Sequence, residues 1–195
     1  MQNRINLYID FDNTIVKSTK RLVEFLNIKY ETNVNYKEIK DYNCQDKFPN
    51  VTIKEILDIF DDKDFFNGLE FYKDCLKTLI KHKKYCNYNI VTLGSLTNLI
   101  NKQQWCSQYI PIKKVFIGIN HIKDTDKSSI DMSDGIIIDD HIDNLRNSNA
   151  KYKILFKGGF DTDWNTKLPH EDFIEVYDWC ELDTVLNNLL LNNIS

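Results

Sequence analysis

The stretch Ile5-Asn6-Leu7-Tyr8-Ile9-Asp10-Phe11-Asp12-Asn13-Thr14 decides how this chain is read. Alternating, β-prone residues run straight into two aspartates, so a short strand is expected to end at Asp10. The stretch Gly135-Ile136-Ile137-Ile138-Asp139-Asp140 repeats the arrangement later in the chain. Around these two, apolar runs at 88–92, 115–118, 152–156 and 174–177 read as further strands. Residues 70–83, 96–108 and 182–191 carry apolar positions at helical spacing. Strands alternating with amphipathic helices predict an α/β fold with a mainly parallel sheet flanked by helices. Residues 18–67 break the alternation. They read as helices over 19–31 and 52–60, followed by a turn-like run at 61–64. We expect a small helical cap at 18–67, inserted after the first strand into a core made of 1–17 and 68–195.

Composition excludes several classes. The 195 residues are 42% hydrophobic and 28% charged, which suits a folded domain and neither a disordered chain nor a membrane protein. No apolar run approaches the length of a bilayer span. Asp10 interrupts the only leader-like stretch, so no signal peptide is expected and the cytoplasm is the expected location. A net charge of −4 gives no basic face for a nucleic-acid polymer. The five cysteines include no C-x-x-C pair and read as free thiols. Asn, Lys and Ile are abundant and Ala150 is the sole alanine, a bias that needs no functional cause. No internal repeat is visible.

The informative polar residues fall at strand ends. Parallel sheets bind ligands at the carboxyl ends of their strands, and Asp10, Asp12, Thr92, Asp139 and Asp140 would all lie on that edge. Asp10 and Asp12, two apart on an extended chain, point to one side. Carboxylates held together repel, so one is protonated or a cation bridges them. With Asp139 and Asp140 added, a cation is the simpler solution, and oxygen donors suit Mg²⁺. Single strand-end aspartates often serve only as turn or N-cap residues. The ordered set argues for more.

That set resembles the haloacid dehalogenase-like phosphohydrolases, whose core is a Rossmann-like sheet. Tyr8 to Thr14 resembles their first motif, D-x-D-x-T, and Ile90-Val91-Thr92 their second. Lys127 matches the third, with Lys123 as a rival, and Ile136 to Asp140 the fourth. A narrower resemblance is to the 5′(3′)-deoxyribonucleotidase family, through Phe65-Phe66-Asn67-Gly68-Leu69, Lys102-Gln103-Gln104-Trp105 and Ile138 to Leu145. The chain departs from the family at Asn13-Thr14. It also departs at Leu93-Gly94-Ser95, which leaves the second phosphate-binding hydroxyl open.

The resemblance implies a Mg²⁺-dependent phosphomonoesterase acting on (deoxy)ribonucleoside 5′-monophosphates through an aspartyl-phosphate. Asp10 would be the nucleophile and Asp12 the general acid and base. Asp10, the Asp12 carbonyl and Asp140 would hold the metal, with Asp139 as orienting neighbour. Thr92 and Lys127 would hold the phosphoryl oxygens. Phe65 and Phe66 are candidates for stacking a base, although closing the cap against the core explains them slightly better. Tyr30, Tyr36 and Tyr42 could line the pocket or pack. His141 reads as a loop neighbour of the metal site, and Trp164, Trp179 and His170 suggest no chemistry. The expected partner is a small phosphorylated substrate, with no membrane and no nucleic-acid polymer, and a homodimer is left open. Two alternatives stand: a phosphatase for another small phosphomonoester, and a non-catalytic binding module.

Overall fold

The computed structural model describes residues 4–194; residues 1–3 and 195 of the expected core, and the side chains of 192–194, lie outside the described set. Strand β1 (Ile5–Ile9) runs parallel to β2 (Cys86–Gly94) on one side and to β4 (Gly135–Asp139) on the other. β3 (Lys114–Asn120) pairs with β2, while β5 (Tyr152–Phe156) and β6 (Ile174–Val176) extend the sheet beyond β4. The order is β3-β2-β1-β4-β5-β6, every pairing is parallel, and the expected Rossmann-like α/β sheet is the fold.

Side-chain alternation divides the core between the two faces of the sheet. Leu7, Ile9, Ile90, Ile136, Ile138, Ile154 and Phe156 belong to one buried cluster. Tyr8, Val91, Ile137 and Leu155, at the intervening positions, belong to the other. The first cluster is covered by α4 (Cys75–His82) and α7 (Trp179–Ile194), and the second by α6 (Ile142–Asn147). Helix α5 (Leu96–Tyr109) packs on β2 and β3.

Between β1 and α4 lie α1 (Ser18–Tyr30), a 3₁₀ turn (Tyr36–Glu38), α2 (Ile53–Asp61) and α3 (Lys63–Asn67). Leu22, Val23, Leu26, Ile56, Phe65 and Phe66 from this segment join the same buried cluster as the sheet. α2 begins with a capping box in which Thr52 and Glu55 satisfy each other's backbone N–H groups. Its last turn is gripped by α5: Ser95 Oγ donates to Asp61 Oδ1 (2.5 Å) and Asn98 Nδ2 to the Phe60 carbonyl (2.6 Å).

Two local expectations need correction. The 61–64 run is no simple turn, because the Asp62 carboxylate accepts the Asp64 N–H and starts α3. Residues 70–74 are not helical. Lys17 N–H donates to the Glu70 carbonyl, Tyr72 N–H donates to the Ile15 carbonyl, and Val16 bridges Phe71. The backbone groups that a helix would use are thereby taken, and the two ends of the 18–67 segment are stitched together. Among the described residues, no helix is long and apolar enough to cross a membrane.

Candidate active site

β1 and β4 are neighbours although β2 and β3 intervene in the chain. At such a reversal of strand order the connections leave in opposite directions and open a crevice above the carboxyl ends. The Asp10 N–H donates to the Ile138 carbonyl (2.9 Å), fastening the end of β1 to β4. Asp10, Asp139 and Asp140 meet there, all buried, each offering a carboxylate oxygen within 4.8 Å of the others.

Two buried lysines enter this acidic cluster. Lys127 Nζ lies 2.5 Å from Asp10 Oδ1 and 2.6 Å from Asp139 Oδ2. Lys123, its rival in sequence, is exposed on the surface. Lys102 Nζ pairs with Asp12 Oδ2 and donates to Thr92 Oγ1 (2.9 Å) and the Leu93 carbonyl (2.8 Å). In the sequence, Lys102 stands out only within the motif Lys102-Gln103-Gln104-Trp105. Its signal was a lysine on the buried stripe of α5, beside Leu99, Trp105 and Cys106. Asp12 Oδ1 is buried without a partner.

The remaining geometry holds these groups in place. Asn13 adopts a left-handed conformation (φ 50°) that asparagine tolerates, and its Oδ1 accepts the Thr19 N–H (2.9 Å). This turn carries the chain from the strand to α1. Asp139 Oδ1 accepts the His141 N–H (2.9 Å) and Asn144 Nδ2 (3.1 Å), so both its oxygens are engaged. His141 caps α6, its Nδ1 accepting the Asp143 N–H (3.3 Å). Ser95 is tied to Asp61 at the end of α2.

Trp164 corrects the sequence reading, which saw no chemistry there. Its Nε1–H donates to Asp140 Oδ2 at 2.8 Å. It lies in an irregular segment whose composition carries no period, so no pattern marked it. Trp179 holds the loop after β1 by donating to the Thr14 carbonyl (2.9 Å), and His170 is exposed.

Phe65 and Phe66 also need correction as pocket residues. They are 0% and 6% exposed, and the Phe65 ring is enclosed by Phe25, Phe60 and Phe66. A base cannot reach a ring that is already covered on this scale. Tyr42 is 60% exposed, its ring edge-on to His141 (5.4 Å) and Trp164 (5.6 Å). Tyr30 donates to Glu55, and Tyr36 packs on Phe160.

The donor set suits a cation. Four carboxylates face two ammoniums, a formal excess of two negative charges in a largely buried space. Burial pushes the Asp10 carboxyl up, opposed by Lys127 and reinforced by Asp139 and Asp12. Asp140 is raised well above the carboxylate range by burial, then by Asp10 and Asp139. Hard oxygen donors carrying this excess fit one divalent ion.

A family profile described as "5′ nucleotidase, deoxy (Pyrimidine), cytosolic type C protein" matches residues 3–189. A comparison with the sequences of curated proteins found no match. Among solved structures, a haloacid dehalogenase-like hydrolase from Streptococcus pneumoniae superposes with a TM-score of 0.64 at 12% identity, covering 95% of this chain and 100% of that one. The HAD-hydrolase YfnB from Bacillus subtilis, solved bound to magnesium, gives 0.60 at 13%, covering 95% and 99%. A HAD family hydrolase from Deinococcus radiodurans, with bound phosphate and sodium, gives 0.59 at 10%, covering 96% and 97%. At these identities the likeness concerns the fold.

Proposed function

The chain belongs to the cytosolic type C deoxy (pyrimidine) 5′ nucleotidase family and is a phosphoric monoester hydrolase; from that premise we propose that it cleaves (deoxy)ribonucleoside 5′-monophosphates through an aspartyl-phosphate on Asp10, with Mg²⁺ bound. The observation that carries this reading is the meeting of Asp10, Asp139 and Asp140 with Lys127 at the β1–β4 crevice. Magnesium is bound in the Bacillus structure and phosphate in the Deinococcus structure, both of which share this fold.

Lys127 and Asp139 orient Asp10, whose carboxylate attacks phosphorus. The bond between phosphorus and the nucleoside oxygen breaks as the bond between an Asp10 carboxylate oxygen and phosphorus forms, giving an acyl phosphate. Asp12 is held by Lys102 through Oδ2, and its unpartnered Oδ1 is the oxygen that gives a proton to the leaving alkoxide. The same oxygen then takes a proton from the water that attacks phosphorus and releases Asp10. Thr92 and Lys127 hold the transferring oxygens. Asp10, the Asp12 carbonyl and Asp140 would hold Mg²⁺, which supplies neutralising charge to the phosphoryl group. Residues 18–67 act as a cap over a core of 1–17 and 68–195, with Tyr42 the aromatic available to a base. The family's cytosolic type supports a cytoplasmic location.

Phosphate release from a panel of phosphomonoesters tests the proposal. The 5′-deoxynucleotides should turn over best, a chelator should abolish activity, and Asp10→Asn should lower kcat by about 10⁴-fold or more. Unchanged turnover by Asp10→Asn would remove the nucleophile from the account. Preference for a sugar phosphate would replace the substrate class.

A further inference from the structure

We propose that Trp164 is a positioning residue for Asp140, holding one carboxylate oxygen so that the other is presented to the cation. The inference rests on the reading of Asp140 as a metal ligand. Asp10 and Asp139 share Lys127, whereas among the described residues Asp140 has no ion-pair partner. Its fixed partner is the indole N–H, a donor that cannot accept and carries no charge. A neutral donor sets the rotamer of a carboxylate without cancelling the charge that attracts a metal.

The indole is itself braced. Trp164 is buried, and its carbonyl accepts the Ile142 N–H (2.8 Å), two residues beyond Asp140. The adjoining Asn165 Oδ1 accepts the Thr162 N–H (2.9 Å), and Lys157 Nζ donates to the Asn165 carbonyl (2.8 Å). From the cap side, Lys40 Nζ donates to the Asp161 carbonyl (2.6 Å), and the Asp163 N–H donates to the Lys40 carbonyl (3.0 Å). Tyr42 lies edge-on against the indole. The segment that carries Trp164 is therefore tied both to the sheet and to the cap.

Partners of metal ligands are worth about 10–100-fold in affinity. Occupying one oxygen also favours single-oxygen binding, which suits Mg²⁺ and Mn²⁺. A freed carboxylate can embrace Ca²⁺ with both oxygens. Trp164→Phe keeps an aromatic ring but removes the N–H together with part of the buried indole's bulk, so its metal-free stability is measured beside its metal binding.

The test is Mn²⁺ binding to the full chain by electron paramagnetic resonance, with Ca²⁺ competition, for the wild type, Trp164→Phe and Asp140→Asn. We expect Asp140→Asn to lose binding. Trp164→Phe should melt somewhat lower without metal, as a smaller buried ring requires, and should bind Mn²⁺ about 10–100-fold more weakly and Ca²⁺ with a smaller loss, a difference between the two metals that a packing defect alone would not produce. Wild-type Mn²⁺ affinity in Trp164→Phe, with binding lost in Asp140→Asn, overturns the inference and leaves the metal reading standing. Unchanged binding in Asp140→Asn overturns the metal reading itself. Should Trp164→Phe not fold, ¹⁵N-tryptophan-labelled wild-type protein decides. An indole N–H resonance that moves both with Mg²⁺ and in Asp140→Asn supports the inference, and indole resonances indifferent to both overturn it.

Discussion

A lysine ammonium is costly to bury unless a carboxylate meets it, and this site buries two. Lys127 is shared by two aspartates of the cluster, while Lys102 joins Asp12 to Thr92 and so links the end of β1 to the end of β2. Removing Lys102 frees Asp12 to rotate and takes a hydrogen bond from Thr92. Lys102→Met should therefore lower kcat by about 10²-fold or more, the usual share of a positioned acid or base. Steady-state kinetics beside a melting curve checks this, and wild-type kcat would count against the role given to Asp12. The aspartates were legible because strand ends are marked by apolar runs. Lys102 was marked only by its place on an apolar stripe, and Trp164 by nothing local.

Among the elements, α4 and α7 are clamped by charge as well as by packing. Lys81 Nζ and His82 Nε2 lie 2.5 and 2.7 Å from the Asp183 carboxylate. Burial alone would raise Asp183, but the hydrogen bonds and charges of Lys81 and His82 outweigh it and hold its pKa below the ordinary value. A carboxyl depressed in the folded state contributes stability above its unfolded pKa of about 4 and loses it as pH falls through the folded value. Asp183→Asn should cost about 1 kcal/mol at neutral pH, a figure kept small by solvent screening, and the gap should close in acid. Urea titrations at pH 7 and pH 3 measure it; an equal gap at both would deny the charge any part. At this scale the helices with long apolar periods were legible. Residues 70–74 were not, because their backbone partners lie at Ile15 to Lys17, more than fifty positions away.

For the whole molecule, burial and mutual repulsion raise the Asp10 and Asp140 carboxyl pKa values, and a divalent cation in the crevice would take the place of the protons they hold. Any ligand bound only by the folded chain stabilises it, by about 2.7 kcal/mol at one hundred times its dissociation constant. For a chain of this length that corresponds to a rise in Tm of roughly 5–10 °C. Calorimetry with Mg²⁺ against chelator should show the rise in the wild type and not in Asp140→Asn, and identical curves would contradict a cation in the crevice. The sequence by itself determined the parallel sheet and the acidic strand ends, because periodicity and strand termination are properties of neighbouring residues. Only the tertiary structure decided that Lys127 and not Lys123 reaches the cluster, that Lys102 holds Asp12, that Trp164 holds Asp140, and that Phe65 is sealed in the interior. The lysine and tryptophan pairings join residues 12 to 117 positions apart, and which side chains meet across such distances depends on how the sheet and its connections pack.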